Sequence, residues 1–174
     1  RQNYKTHKHN NFGFPKLLFQ LEIEYADGSI KKIVSDESWK LNLDGPVRTN
    51  NEYDGEEYDA NKEMTGWNVS GYNDRSWINA ESVAAPPGQI RAQMSESMKV
   101  MRTIQPVSMR KTASGNYILD MGQNFSGWIK LKNINGKKGQ KVILRFAESL
   151  QSNGELFVAN LRDAKVTDLY TFGN

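Results

Sequence analysis

The sequence predicts an all-β chain: an antiparallel β-sandwich followed by a second, truncated β-sandwich segment. Three observations carry that prediction. Apolar residues alternate with polar ones at a period of two, as in Leu21, Ile23 and Tyr25 against Glu22 and Glu24, and again in Val142, Leu144 and Phe146. Turn dipeptides such as Asp27-Gly28 and Asn135-Gly136, the latter with Lys138-Gly139 closing a slightly longer turn, separate short apolar runs. Only one stretch, around Ser149 to Ser152, suits a helical turn. Many short strands at regular spacing, with turn signals between them, suit sandwich architecture.

The elements are expected in this order. Leu17 to Tyr25 forms a strand, turns at Asp27-Gly28, and pairs with Ile30 to Val34. Trp39 to Leu43 supplies a third strand, and Asp44-Gly-Pro46 turns the chain into Val47 to Asn51. From Asp54 to Trp77, Gly, Asn, Asp and aromatic residues give a loop-like stretch tied down by its Trp and Tyr side chains. Ser95 to Pro106 reads as a strand anchored by Val100 and Ile104, with Pro106 at its end because it has no N–H to donate. The second half continues with strands at Tyr117–Asp120, Gly127–Leu131, 142–146, Leu156–Leu161 and Val166–Phe172. The domain boundary falls in the weak signal around Ile104 to Met109, giving regions 1–106 and 107–174. The second region is small for a free sandwich, since little surface can be buried at that size.

Composition narrows the function classes. The 174 residues carry 23 basic and 20 acidic side chains, a net charge of +3 with the signs interspersed. That balance argues against nucleic acid as a partner; the nearest basic cluster, Lys137, Lys138 and Lys141, suits a solvated hairpin end. No cysteine is present, so disulfides and thiolate metal sites are excluded. No apolar run approaches the ~20 residues of a membrane-spanning helix, and no membrane partner is expected. The N-terminus has no initiator Met and no apolar leader, as expected of the interior of a longer protein.

The acidic block Glu52, Asp54, Glu56, Glu57, Asp59 and Glu63 is the candidate site. In an extended segment Glu52, Asp54 and Glu56 share one face, with Glu57 and Asp59 opposite. Calcium takes six to eight oxygen ligands, and Asn50 and Asn51 add amide oxygens beside the carboxylates. The competing reading is a solvated loop whose carboxylates bind main-chain amides. Glu56 and Glu148 are the nominees for a glycosidase acid pair, which needs opposed faces of a sugar and separated pKa values. Strand ends and loops of a sandwich offer no visible deep cleft for that chemistry. Among the aromatics, Trp39, Trp77 and Trp128 are assigned to the core; Trp67 and Tyr53, beside Gly66 and Asp54, form the exposed pair suited to stacking on a sugar ring. His7 and His9 make a weak two-ligand metal pattern near the terminus.

Several blocks, taken in order, resemble bacterial α-L-rhamnosidases. They are Leu17–Ser29, Ser38-Trp-Lys40, Tyr53-Asp-Gly-Glu-Glu-Tyr-Asp-Ala60, Gly66-Trp67 and Asn73-Asp-Arg-Ser-Trp77, then Asp120-Met-Gly-Gln-Asn-Phe-Ser-Gly-Trp128, Leu144–Glu148 and Asn160–Ala164. The resemblance implies a jelly-roll, galactose-binding-like N-terminal domain and the start of a concanavalin-like domain. It implies a non-catalytic accessory role in an exported enzyme that hydrolyses terminal α-L-rhamnosides. Its catalytic carboxylates would lie in an α/α barrel of the same parent chain, outside this sequence. L-rhamnose or a rhamnosylated glycan is the implied ligand, with Asn51, Tyr53, Asp54, Glu56 and Trp67 as candidate sugar contacts. Calcium is the implied cofactor, with Glu52, Asp54 and Asp59 as candidate ligands. One departure stands out: similar sequences read Asp-Ala-Arg at the end of the Tyr-Asp-Gly-Glu block, whereas Asn61 follows Ala60 here.

Overall fold

In the computed structural model, residues 16–85, 88–89 and 91–173 are described. They contain twelve strands and two short 3₁₀ turns, with no α-helix among the described residues. The strands are β1 (Gln20–Glu24), β2 (Ile30–Val34), β3 (Lys40–Leu41), β4 (Val47–Asn51), β5 (Gly55–Asp59) and β6 (Ile78–Asn79). They continue with β7 (Ser108–Lys111), β8 (Tyr117–Asp120), β9 (Lys141–Arg145), β10 (Ser149–Leu150), β11 (Leu156–Phe157) and β12 (Thr167–Thr171). The all-β class is as expected. The sheets are small: one of four strands, in the order β4-β5-β12-β9, and four of two strands each.

The local hairpins follow the sequence closely. β1 pairs antiparallel with β2, Leu21 opposite Ile33, across the turn at Gly28. Asp27 accepts from both the N–H and the hydroxyl of Ser29, which fixes that turn. β7 and β8 pair in the same way, Met109 opposite Leu119. β3 meets β6 over a longer span, Lys40 opposite Asn79.

The four-stranded sheet is not purely antiparallel. β5 and β12 run parallel, Tyr58 beside Tyr170, while β4–β5 and β12–β9 are antiparallel. Rows of side chains therefore cross all four strands. Val47, Tyr58, Tyr170 and Val142 form one row, and Thr49, Glu57, Leu169 and Ile143 the next, on the opposite face. On the first face the Tyr58 and Tyr170 rings stack at 5.7 Å, and Tyr170 meets Phe172 edge-on at 5.1 Å. The Phe172 ring packs over Gly136, where a Cβ would sit 2.3 Å from it. Among the described residues Phe172, at 9% exposure, is the buried hydrophobic residue, and Asn51, at 8%, at the end of β4, is the buried polar one.

Several expectations are corrected. The block Asp54 to Asp59, read as part of a loop, is largely strand β5, because β4 and β12 flank it on both sides and satisfy its amides. Ser95 to Pro106 and Gly127 to Leu131 carry strand-like alternation but no strand, since no described strand lies alongside either. β9 pairs with β12 rather than across Asn135-Gly136, and the chain turns between Lys137 and Gln140, at the expected Lys138-Gly139 pair. Ser149 to Ser152 holds the start of a hairpin, β10 with β11, rather than a helical turn; main-chain bonds between Gln151, Gly154 and Glu155 close it. The strand expected at Leu156–Leu161 stops after Phe157, and Ala159–Leu161 forms a 3₁₀ turn. Trp39 and Trp77 are half-buried, but Trp128, assigned to the core, is 72% exposed.

The molecule leaves an unusual amount of surface uncovered. Its accessible area is 15637 Å². A self-contained globule of this mass exposes roughly 8,600 Å². No large side chain among the described residues is fully buried.

Candidate functional site

The acidic block is organised by its main chain. β4 ends at Asn51, and the chain turns through Glu52, Tyr53 and Asp54 into β5. The Asn51 side-chain oxygen accepts from the N–H of Tyr53 (3.0 Å) and of Asp54 (2.7 Å). Burial of Asn51 makes those bonds costly to lose. Gly55 follows with φ +100, and a Cβ there would lie 2.3 Å from the Thr167 carbonyl oxygen. Glycine is required on both counts, because β12 approaches main chain to main chain. The Glu56 N–H donates to the Asp168 carboxylate at 2.9 Å, and Asp54 accepts from the Lys165 N–H.

Each candidate carboxylate has a structural partner or stands apart. Glu56 accepts from the Asn50 side-chain amide at 2.6 Å. Asp59 caps the 3₁₀ turn Ala60–Lys62, accepting from the side-chain and main-chain N–H of Asn61; those bonds hold its carboxyl below the ordinary value. Glu52 is exposed on the turn. Among the described residues no group of three or more Asp, Glu or His side chains converges to hold a metal ion. Glu52, Asp54 and Asp59 are thus not brought together, while His7 and His9 lie outside the described residues. Asn61 also donates to the Phe172 carbonyl at 3.2 Å, tying the 3₁₀ turn to the end of β12.

Two clefts divide the candidate sugar contacts. Asn51 and Asp54 line a cleft of about 220 Å³ with Glu57, Ile143, Lys165 and Leu169. Trp67 belongs to a different cleft of about 320 Å³, with Ser38, Lys40, Tyr72, Asp74 and Trp77. Tyr53 and Glu56 line neither. In the larger cleft Trp67 is 60% exposed, Tyr72 and Trp77 meet edge-on at 5.8 Å, and Lys40 Nζ lies 2.8 Å from Asp74 Oδ1. The hydrogen bond from Lys40 and its charge hold the Asp74 carboxyl below the ordinary value. An exposed indole beside a charged pair can stack on a pyranose ring and bond its hydroxyls. Sequence reasoning missed Lys40 and Asp74. The five-residue steps from Trp67 to Tyr72 to Trp77 marked the cleft's aromatic side, but Lys40 arrives from β3 and its approach depends on the β3–β6 pairing.

Comparison with known proteins decides the family. Residues 1–102 match the α-L-rhamnosidase N-terminal domain, and residues 110–173 match the bacterial α-L-rhamnosidase concanavalin-like domain.

The chain belongs to the α-L-rhamnosidase family.

An α-L-rhamnosidase of Streptomyces avermitilis is 38% identical over 158 residues, covering 90% of this chain and 15% of the relative. An α-L-rhamnosidase of an Alteromonas strain is 35% identical, covering 90% and 17%. Among solved structures, the α-L-rhamnosidase from Dictyoglumus thermophilum superposes with a TM-score of 0.88 at 39% identity, over 94% of this chain and 18% of that one. The Streptomyces avermitilis enzyme complexed with L-rhamnose superposes at 0.84 and 37% identity, over 89% and 15%. The chain spans less than a fifth of the relatives it matches and corresponds to an N-terminal part of α-L-rhamnosidases.

Proposed function

We propose that this chain is a non-catalytic accessory β region of an enzyme that hydrolyses terminal α-L-rhamnosides. Its role is to brace the catalytic α/α barrel expected elsewhere in the same exported polypeptide. The observation that carries this reading is the uncovered surface: 15637 Å² on a chain that spans 15–18% of its relatives. With large apolar side chains such as Leu17, Leu18, Met98 and Trp128 exposed on it, that surface suits a piece held against other parts of a larger protein. The test is turnover of an aryl α-L-rhamnoside by the whole parent protein and by this chain alone. Activity in the parent only is the expected result. Turnover by the chain alone, abolished by Glu56→Gln or Glu148→Gln, would overturn the reading.

A second reading adds sugar binding, favoured by the exposed Trp67 ring beside the Lys40–Asp74 pair. The ligand would be a terminal L-rhamnose. Titration calorimetry with L-rhamnose, with and without calcium, tests it. Heat lost in Trp67→Ala places the sugar in the larger cleft; heat that needs calcium and is lost in Asp54→Asn places it at the acidic turn. No heat in either condition leaves the bracing role alone.

A further inference from the structure

The sequence holds two Asn-Gly pairs, Asn135-Gly136 and Asn153-Gly154. A glycine after asparagine puts no side chain in the way of its own main-chain nitrogen, which can swing toward the asparagine amide. The fold treats the two pairs differently. At the second pair the Asn153 side-chain oxygen accepts from the Glu155 N–H at 3.0 Å, and the Gly154 N–H donates to the Gln151 carbonyl at 2.9 Å. The Arg110 guanidinium also donates to the Gly154 carbonyl. At the first pair Asn135 is exposed, and among the described residues neither its side chain nor the Gly136 N–H has a hydrogen-bond partner. Lys132, Lys137 and Lys138 flank it in sequence, whereas Glu155 follows the second pair.

We propose that Asn135 is a self-modification site, at which the chain deamidates in water and so loosens its own hold on Phe172. The Gly136 nitrogen gives up its proton and bonds to the Asn135 side-chain carbonyl carbon. The bond from that carbon to the amide nitrogen breaks, and this nitrogen leaves with the proton as ammonia. Water then opens the resulting succinimide at either carbonyl, giving aspartate or isoaspartate. The flanking lysine charge favours the ionised nitrogen that attacks, and no hydrogen bond has to break first. Isoaspartate carries the main chain through its side-chain carbons and so lengthens it by one carbon. The extra length enters where there is no room for it: the Phe172 ring leaves no space for even a Cβ on Gly136. The same loop clasps Phe172 by its main chain. The Gly139 N–H donates to the Phe172 carbonyl at 2.8 Å, and the Phe172 N–H donates to the Gln140 carbonyl at 2.9 Å.

The test is peptide mapping of the whole parent protein aged in mildly alkaline buffer, with isoaspartate read by enzymatic methyl transfer. Deamidation at Asn135 should outrun that at Asn153 roughly 10-fold or more, because two hydrogen bonds must break first at Asn153. In denaturant the two rates should converge, since a glycine follows each asparagine. Equal rates in the folded protein, or an Asn135 that stays intact there, overturn the site. A preference of the same size that persists in denaturant overturns it too, because the fold would then play no part. Hydrogen exchange separates the extra carbon from the added charge. In protein carrying isoaspartate at this position the Gly139 and Phe172 amides should exchange roughly 10-fold faster. In fresh Asn135→Asp, which gains the charge without the carbon, they should exchange as in the unmodified protein. Unchanged exchange in the isoaspartate form, or equal acceleration in Asn135→Asp, overturns the loosening of Phe172 by the lengthened chain.

Discussion

The four-stranded sheet and the two-stranded hairpins around it are built from similar residues yet reach different ends. In the sheet, β5 meets β12 across more than 100 residues of sequence, and Phe172 and Asn51 are buried there. In the β1–β2 hairpin, neighbours pair in perfect register and Leu21, Ile30 and Val34 remain exposed. Local pairing satisfies the main chain; burial needs a second layer or a distant strand. Stability should therefore be concentrated in the sheet.

The sharpest way to break that contrast is at glycine. Gly55→Ala would force a Cβ into the Thr167 carbonyl at a positive φ, and a loss of about 3 kcal/mol or more in denaturant unfolding is expected. Gly28→Ala, also at positive φ but with open space around it, should cost only about 1 kcal/mol. Similar losses at the two positions would show that the sheet holds no special share of the stability. Phe172→Ala comes next, at about 3 kcal/mol, against less than about 0.5 kcal/mol for Trp128→Ala in the isolated chain. Asn51→Ala removes the acceptor for two turn amides and should cost about 2 kcal/mol, read as a lower melting temperature.

The smallest effect is one of pH. Burial, then the hydrogen bond from Tyr58 to Glu63, pushes the Tyr58 phenol up to about 12 from an ordinary 10. A raised pKa means the folded state holds the proton more tightly. The contribution is complete below pH 10 and fades as pH rises toward 12. Ultraviolet titration should show one tyrosine ionising late, and Glu63→Gln should bring it earlier without returning it fully to the ordinary value. A late tyrosine that survives in Tyr58→Phe would place the effect elsewhere.

How much was legible in the sequence follows the same division. Asp27-Gly28 between two alternating runs identified the β1–β2 hairpin, and the alternation of Val142, Leu144 and Phe146 identified β9, because both signals are local. The parallel pairing of β5 with β12 was not legible: an acid-rich segment reads as loop until two flanking strands claim its amides. At the candidate site the side-chain partners were not legible for a related reason: the sequence offers Glu56 and Asp59 as ligands, and only the fold shows that Asn50 donates to Glu56 and Asn61 to Asp59. Trp128 was misplaced because an aromatic residue announces a need for cover without saying where the cover comes from.

The parallel β5–β12 junction has a consequence for anyone dividing this protein. The two family regions meet between residues 102 and 110, and a cut there looks safe. It would split the sheet between β5 and β12, leaving β5 as a raw margin in one piece and β12, still paired with β9, as a raw margin in the other. Grafting or swapping either region thus transfers half of a shared seam, and the seam, rather than the sequence boundary, sets the smallest transferable unit.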